Sequence, residues 1–262
     1  MSLTPREIGE MDLFGHLREL RRRIVISVLA ILGGAIVAYS FTKEIFDFLS
    51  RPYFDAFPDN ILIGTGLAEA FILKLKVAFF AGIVLASPVL FFQLWLFIAP
   101  GLYDRERRLA LPFVVSTTGL FLLGVWFCYT WVFPFAFDFF RAEYLSIGVT
   151  PTVRISEHLA LMIQGLVGFG AVFQLPVIAF FLGRLGIIDH RTLIGGARYA
   201  VVIIFVLSAI LTPPDVLTQF LMAGPLMLLF GISIIVVRYT AARPADEDSS
   251  PEGPGDEITK TT

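Results

Sequence analysis

The sequence predicts an all-α membrane protein of six transmembrane helices, with both termini cytoplasmic and with short fifth and sixth helices. Three observations carry that expectation. Of 262 residues, 56% are hydrophobic and only 16% charged, and the mean hydropathy of +0.80 is far too high for an ordinary soluble domain. The apolar residues gather in six runs near 24–41, 77–98, 110–133, 159–182, 199–211 and 216–237, and a membrane-spanning helix needs about 20 such residues. Lys and Arg divide 14 to 6 between alternate connections, and the richer side is cytoplasmic because positive charge resists translocation. Long alternating polar segments of the kind that build outer-membrane barrels are absent, so helices are left to satisfy the backbone.

Residues 1–23 read as a cytoplasmic amphipathic arm. Leu13, Leu17, Leu20 and Ile24 share one helical face, and Asp12, His16, Glu19 and Arg23 share the opposite one. This pattern predicts an interfacial helix running into the first span. After Arg21-Arg22-Arg23 that span resembles a signal-peptide core, but it is long, and Tyr39-Ser40-Phe41 is a poor cleavage site. It reads as retained. The far-side connections 42–76 and 134–158 carry their own aromatics, including Phe46, Tyr53, Phe137 and Tyr144, and predict short amphipathic helices. Residues 24–238 form the six-span domain.

Arg198 to Leu211 is only 14 residues, about 21 Å of helix against roughly 30 Å of hydrocarbon. It ends at Thr212-Pro213-Pro214-Asp215, which reads as the start of the next helix with Thr212 as N-cap and Pro213 at the first position. A tight hairpin follows, and its mismatch with the bilayer draws lipid thinning or water toward it. Residues 239–262 read as a disordered acidic cytoplasmic tail. From 244 onward the chain holds six acids against Lys260, so the pI near 5.9 describes a tail and not a binding surface.

Catalytic constellations are missing from the spans. His16, His158 and His190 fall at or outside the span boundaries; no metal-ligand pair, Ser-His arrangement, phosphate-cradling glycine loop or intramembrane aspartate dyad is present. Neither an enzyme nor a cofactor is expected, and nothing points to nucleic acid. Cys128 stands alone in an apolar run and reads as a small buried hydrophobe. Polar residues at depth are few: Gln93, Ser116, Thr117, Thr118, Gln164, Gln174 and Gln219. Interhelical hydrogen bonding is the plain reading for each, and for Gln174, followed by Pro176, the lining of a functional cavity stands beside it. Pro88, Pro112 and Pro176 read as kink or helix-start residues.

Glu19 in HLRELRRR and Glu106 in LYDRERR lie among basic residues. Helix-surface pairing of Glu19 with Arg22 and Arg23 is one account, at about 0.2–0.5 kcal/mol per pair. The other is that two spaced carboxylates each take a guanidinium in a forked bidentate pair, which selects Arg over Lys. The alternative functional classes at this stage are a small-solute secondary transporter, which lacks the expected repeat here, and a membrane scaffold.

HLRELRRR, ASPVLFFQLWLFIAPGLYDRERR, VFPFAF, FQLPV and TPPD followed by Gln219 occur in this order, and together they resemble the TatC family, the multispanning subunit of the twin-arginine protein translocase, over about residues 12 to 238. The resemblance implies a receptor for folded proteins with Arg-Arg signal peptides, driven by the proton gradient. It implies that Glu19 and Glu106 bind the paired arginines, with Arg21, Phe97 and Tyr103 beside them. It places Gln174, Asp215 and Gln219 in a polar region for partners, and Pro52 and Tyr129 at structural motif positions. Its implied partners are single-span A and B subunits, further copies of the chain and membrane lipid. Where this chain has Gln174 the family often has Glu, and Gln does not titrate near neutral pH.

Overall fold

No proline interrupts the chain between Pro5 and Pro52, and the first helix, α1 (Pro5–Tyr39), runs its 35 residues unbroken, about 52 Å at 1.5 Å per residue. Arm and first apolar run are thus one rod. This computed structural model describes residues 5–98, 110–184, 186–211 and 216–240; residues 212–215, where the sequence predicts a tight hairpin, and residues 241–262 of the tail lie outside them. After Tyr39 the chain turns and α2 (Thr42–Ala56) begins, with Thr42 Oγ1 donating to Tyr39 O at 3.1 Å. It buries Leu49, Ser50, Pro52, Tyr53 and Ala56 on one side, as an amphipathic connection helix does.

The next helix, α3 (Glu69–Ile98), starts eight residues before the apolar run expected at 77. Glu69 explains the difference, because its Oε2 accepts the backbone N–H of Thr65 at 2.5 Å and of Gly66 at 2.9 Å. These bonds fix the entry to the helix, and the polar turn at Lys74 and Lys76 is carried inside it. The rod α1 packs along α3 at very short range. A Cβ built on Gly82 would lie 2.6 Å from Ile31 O and 2.7 Å from Ala35 N, so the absence of a side chain sets how closely the two backbones approach.

A third long element is compound. Helix α4 (Ala110–Phe127), a π-helical turn (Cys128–Val132) and α5 (Phe133–Ser146) follow without a gap, where the sequence suggested a span ending at 133 and a separate helix beyond it. The N–H of Phe133 reaches Cys128 O, five residues back. Such a wide turn just before Pro134 lets the helix continue past a residue without an N–H. The chain is not wholly α-helical: Leu62–Ile63 (β1) pairs in parallel with Val153–Arg154 (β2), and Asn60 Nδ2 donates to Pro151 O at 3.0 Å beside them.

The fourth apolar run, expected at 159–182, divides into α6 (Ile155–Val172) and α7 (Leu175–Arg184) at Phe173-Gln174, with Pro176 at the start of α7. Helix α6 is central, with Leu159, Met162, Leu166 and Phe169 at 1% exposure or less. His158 sits in its first turn, is 2% exposed and meets Ser50 Oγ at 3.2 Å. Cys128 is fully buried in the same core. The chain closes with α8 (His190–Gly195), α9 (Ala197–Leu211) and α10 (Val216–Thr240). Of the last two apolar helices α9 alone is short: its 15 residues contrast with 25 in α10, which extends past Val237 through Arg238 to Thr240. The expectation of a short sixth helix is therefore corrected, since Pro225 lies inside α10 without ending it.

Among the described residues, five helical stretches are long and apolar enough to cross a membrane: Leu17–Tyr39, Glu69–Phe97, Ala110–Ser146, Ile155–Arg184 and Met222–Thr240; Ala197–Ile210 is a shorter apolar helix. Pro52 and Tyr129 meet at one point in this frame. Pro52 has no N–H for Phe48 O, the carbonyl four residues back, and the Tyr129 hydroxyl donates to that oxygen at 2.8 Å while its ring stacks on Phe48 at 4.5 Å. Tyr129→Phe keeps the stack and removes the donor, so it is expected to destabilise the fold by about 1 kcal/mol in thermal unfolding in detergent. In a Pro52→Ala background the restored N–H serves Phe48 O, and the same change is expected to have a smaller effect. Equal effects in the two backgrounds would disprove the pairing.

Candidate functional site

The end of the bundle that carries the N-terminal arm holds a polar recess. Helix α1 brings Gly15, Arg18, Glu19, Arg22, Arg23 and Ile26 to one side, and α3 adds Gln93 and Leu96 near its last turn; together they enclose about 550 Å³. Glu19 and Arg23 are one helical turn apart and form an ion pair through Arg23 Nη2 and Glu19 Oε1. Arg23 Nη1 donates to Gln93 Oε1 at 3.4 Å. Both partners are half-buried, with side chains 20% and 35% exposed for Arg23 and Glu19, so the carboxylate sees less water than a surface pair does.

The helical faces of the arm are placed opposite to a soluble amphipath. Leu17 and Ile24 are 52% and 53% exposed, while Glu19 and Arg23 turn toward α3. An outward apolar stripe suits a helix whose surroundings are hydrocarbon. Arg21 is exposed and does not line the recess; Phe97 is half-buried in the turn of α3 that follows Gln93. Glu106 and Tyr103 lie outside the described residues, as does Asp215. Sequence reasoning gave Glu19 and paired it with Arg22 and Arg23, and the structure selects Arg23. Gln93, which local pattern marks only as interhelical glue, meets Arg23 across 70 positions of sequence through the packing of α1 on α3, which no local pattern contains.

A second polar point lies at the α6–α7 break. Gln174 Nε2 donates to Thr117 O at 3.2 Å and to Gly170 O at 3.3 Å, and its Oε1 is buried without a hydrogen-bond partner. It lines a cavity of about 550 Å³ whose other walls include Phe91, Leu94, Phe113, Phe121 and Phe181. The amide nitrogen of Gln174 thus ties the break to α4, and the residue is also among those that line the cavity. Ser116 and Thr117 bond to carbonyls of their own helix, Thr117 Oγ1 to Phe113 O at 2.7 Å, instead of bridging helices.

The third point is on α9. Gln219 Nε2 from α10 donates to Phe205 O at 2.9 Å, and Gln164 Nε2 from α6 donates to Ile210 O. Among the described residues Gln174 and Gln219 have no hydrogen-bond partner in common. No group of three or more His, Cys, Asp and Glu suited to a metal ion occurs among the described residues.

Residues 15–225 match the protein family described as Sec-independent protein translocase protein (TatC). The chain belongs to the TatC family. TatC proteins similar to it include that of Magnetococcus marinus, 44% identical over 239 residues that cover 90% of this chain and 88% of the relative. That of Campylobacter jejuni is 42% identical over 243 residues, covering 91% and 98%. A crystal structure of the twin-arginine translocase receptor TatC superposes with a TM-score of 0.77 at 36% identity, covering 85% of this chain and 97% of that one. Family and apolar helices together make this TatC chain a multi-pass membrane protein of protein transport. Gln174→Leu in this TatC is expected to leave the helices assembled, because a side-chain hydrogen bond between membrane helices contributes about 0.6 kcal/mol on average. It is expected to reduce protein export in cells lacking their own TatC; export at the wild-type level would show that no polar group is needed at the break.

Proposed function

We propose that this TatC recognises Arg-Arg signal peptides at its arm end and takes part in moving folded proteins across the cytoplasmic membrane with energy from the proton gradient. The observation that carries the reading is that Glu19 sits in a half-buried recess and already engages a guanidinium. A carboxylate with two oxygens accepts a planar fork better than a point-like ammonium. Partial burial strengthens that preference, because the competing interaction with water is weakened.

In this arrangement six spans, with α9 as the short fifth, leave both termini in the cytoplasm, where a signal peptide first arrives. Glu106 supplies the second carboxylate, and Arg21, Phe97 and Tyr103 border the bound peptide. Single-span A and B subunits pack near α9 and α10, where Gln219 and Asp215 offer polar groups, and further copies of the chain complete the receptor. The support for the partner region is physical: α9 has 15 residues, about 22 Å of helix, so the bilayer beside it must adapt.

Crosslinking of an Arg-Arg signal peptide and its Lys-Lys variant to the full chain tests the reading, in wild type and in Glu19→Ala and Glu106→Ala. Wild type is expected to prefer Arg-Arg strongly, and each variant to lose most of that preference. Equal capture of both peptides by wild type, or an unchanged preference in the double variant, overturns the assignment.

A further inference from the structure

Arg23 stands where the receptor reading puts an arginine of the incoming peptide. Arg18, Arg21 and Arg22 are exposed, whereas Arg23 is drawn inward. Its guanidinium is held at three points of unequal quality. Nη2 donates to Glu19 Oε1; Nη1 reaches Gln93 Oε1 at 3.4 Å, long against the usual distance of about 2.9 Å; and Nε is buried with no acceptor. A buried donor of a cation left without an acceptor weakens the arrangement. The chain's own arginine is therefore a ligand of the Glu19 carboxylate, and a poorly fitted one.

We infer that Arg23 is an internal competitor for Glu19: it neutralises the carboxylate while no signal peptide is bound, and a peptide arginine displaces it. This rests on the receptor reading above. A half-buried carboxylate with no cation beside it is unfavourable, so the resting recess needs a positive partner. The same partner must leave when the peptide arrives, because two guanidinium groups on one carboxylate repel each other. The long aliphatic stem of Arg23 lets its head swing out to water from the arm end. An exchange of this kind lowers the affinity for every basic peptide by one common factor. Lys-Lys and single-Arg peptides, which bind weakly to begin with, are thereby pushed beyond working concentrations, while an Arg-Arg peptide stays within them.

Dissociation constants of a fluorescent Arg-Arg signal peptide and its Lys-Lys variant, measured by anisotropy on the full chain in lipid nanodiscs, test the competition. Arg23→Gln and Arg23→Lys are both expected to bind both peptides more tightly, by about two- to fivefold, the range expected for a partly exposed ion pair, with the Arg-Arg to Lys-Lys ratio unchanged. Arg23→Lys keeps the charge and loses the fork, so tightening in this variant separates competition from a change in local field, and it carries the test if Arg23→Gln does not fold. Arg22→Gln, which removes a charge from the same recess without touching Glu19, gives the field effect alone and is expected to change binding less than Arg23→Gln does. Unchanged or weaker binding in Arg23→Lys overturns the competition. Failure of the receptor reading has a different signature: wild type does not prefer Arg-Arg, or Glu19→Gln leaves that preference intact.

Discussion

A backbone carbonyl that loses its helical partner inside hydrocarbon has no water to turn to, and this chain interrupts its helices repeatedly. Side-chain donors from other elements reach backbone carbonyls at some of these places and also along intact helices. Tyr129 serves Phe48 O, freed by Pro52. Gln174, standing at the α6–α7 break itself, bonds to Thr117 O on α4 as well as to Gly170 O. Gln164 and Gln219 approach α9 from α6 and α10 and bond to Ile210 O and Phe205 O. Each of these donors bridges elements, so satisfying the backbone also sets how the helices are arranged. The short helix α9 is held by two glutamine amides at its last two turns as well as by apolar packing.

The proposed receptor site draws on the same economy of polar groups. Glu19, Arg23 and Gln93 form a small network between two helices that approach closely at Gly34 and Gly82. That approach keeps α1 against α3 although most of the surface of α1 is exposed, with Val28, Leu29, Leu32 and Ile36 all facing outward. A site built on two long helices keeps its geometry better than one built on loops. Its weakest member is the Nη1 bond to Gln93, which is where an incoming ligand meets least resistance.

Much of this was legible in the chain itself. Six apolar runs, the helix start at Pro176, the shortness of the fifth helix and the burial of Cys128 all follow from local pattern, and the family motifs pointed to Glu19. Features that depend on packing were not legible. The π-turn before Pro134 answers a missing N–H that could equally have ended the helix. The start of α3 at Glu69 rests on one carboxylate folding back onto two amides, inside a stretch whose lysines had diluted the apolar signal. The length of α10 depends on Pro225 being absorbed, where propensity alone argues for a stop. Gln93 meets Arg23, and through it Glu19, only because α1 and α3 lie side by side, and Thr117 bonds to Phe113 O of its own helix.

The two-residue parallel strand pair has a bearing on the order in which the chain is assembled. Leu62 and Val153 are partners across 91 positions of sequence, and α3, α4, the π-turn and α5 all lie between them. A contact so distant forms only after the intervening chain has been ordered, since closing a long flexible loop has an entropic cost that early local helices do not bear. Synthesis from the N-terminus supplies β1 well before β2, so β1 waits unpaired while two apolar stretches, Glu69–Phe97 and Ala110–Ser146, enter the membrane. The clasp between the two connections is thus a late event, and the seating of α2 against α5 beneath it marks the point at which this half of the protein becomes a finished unit.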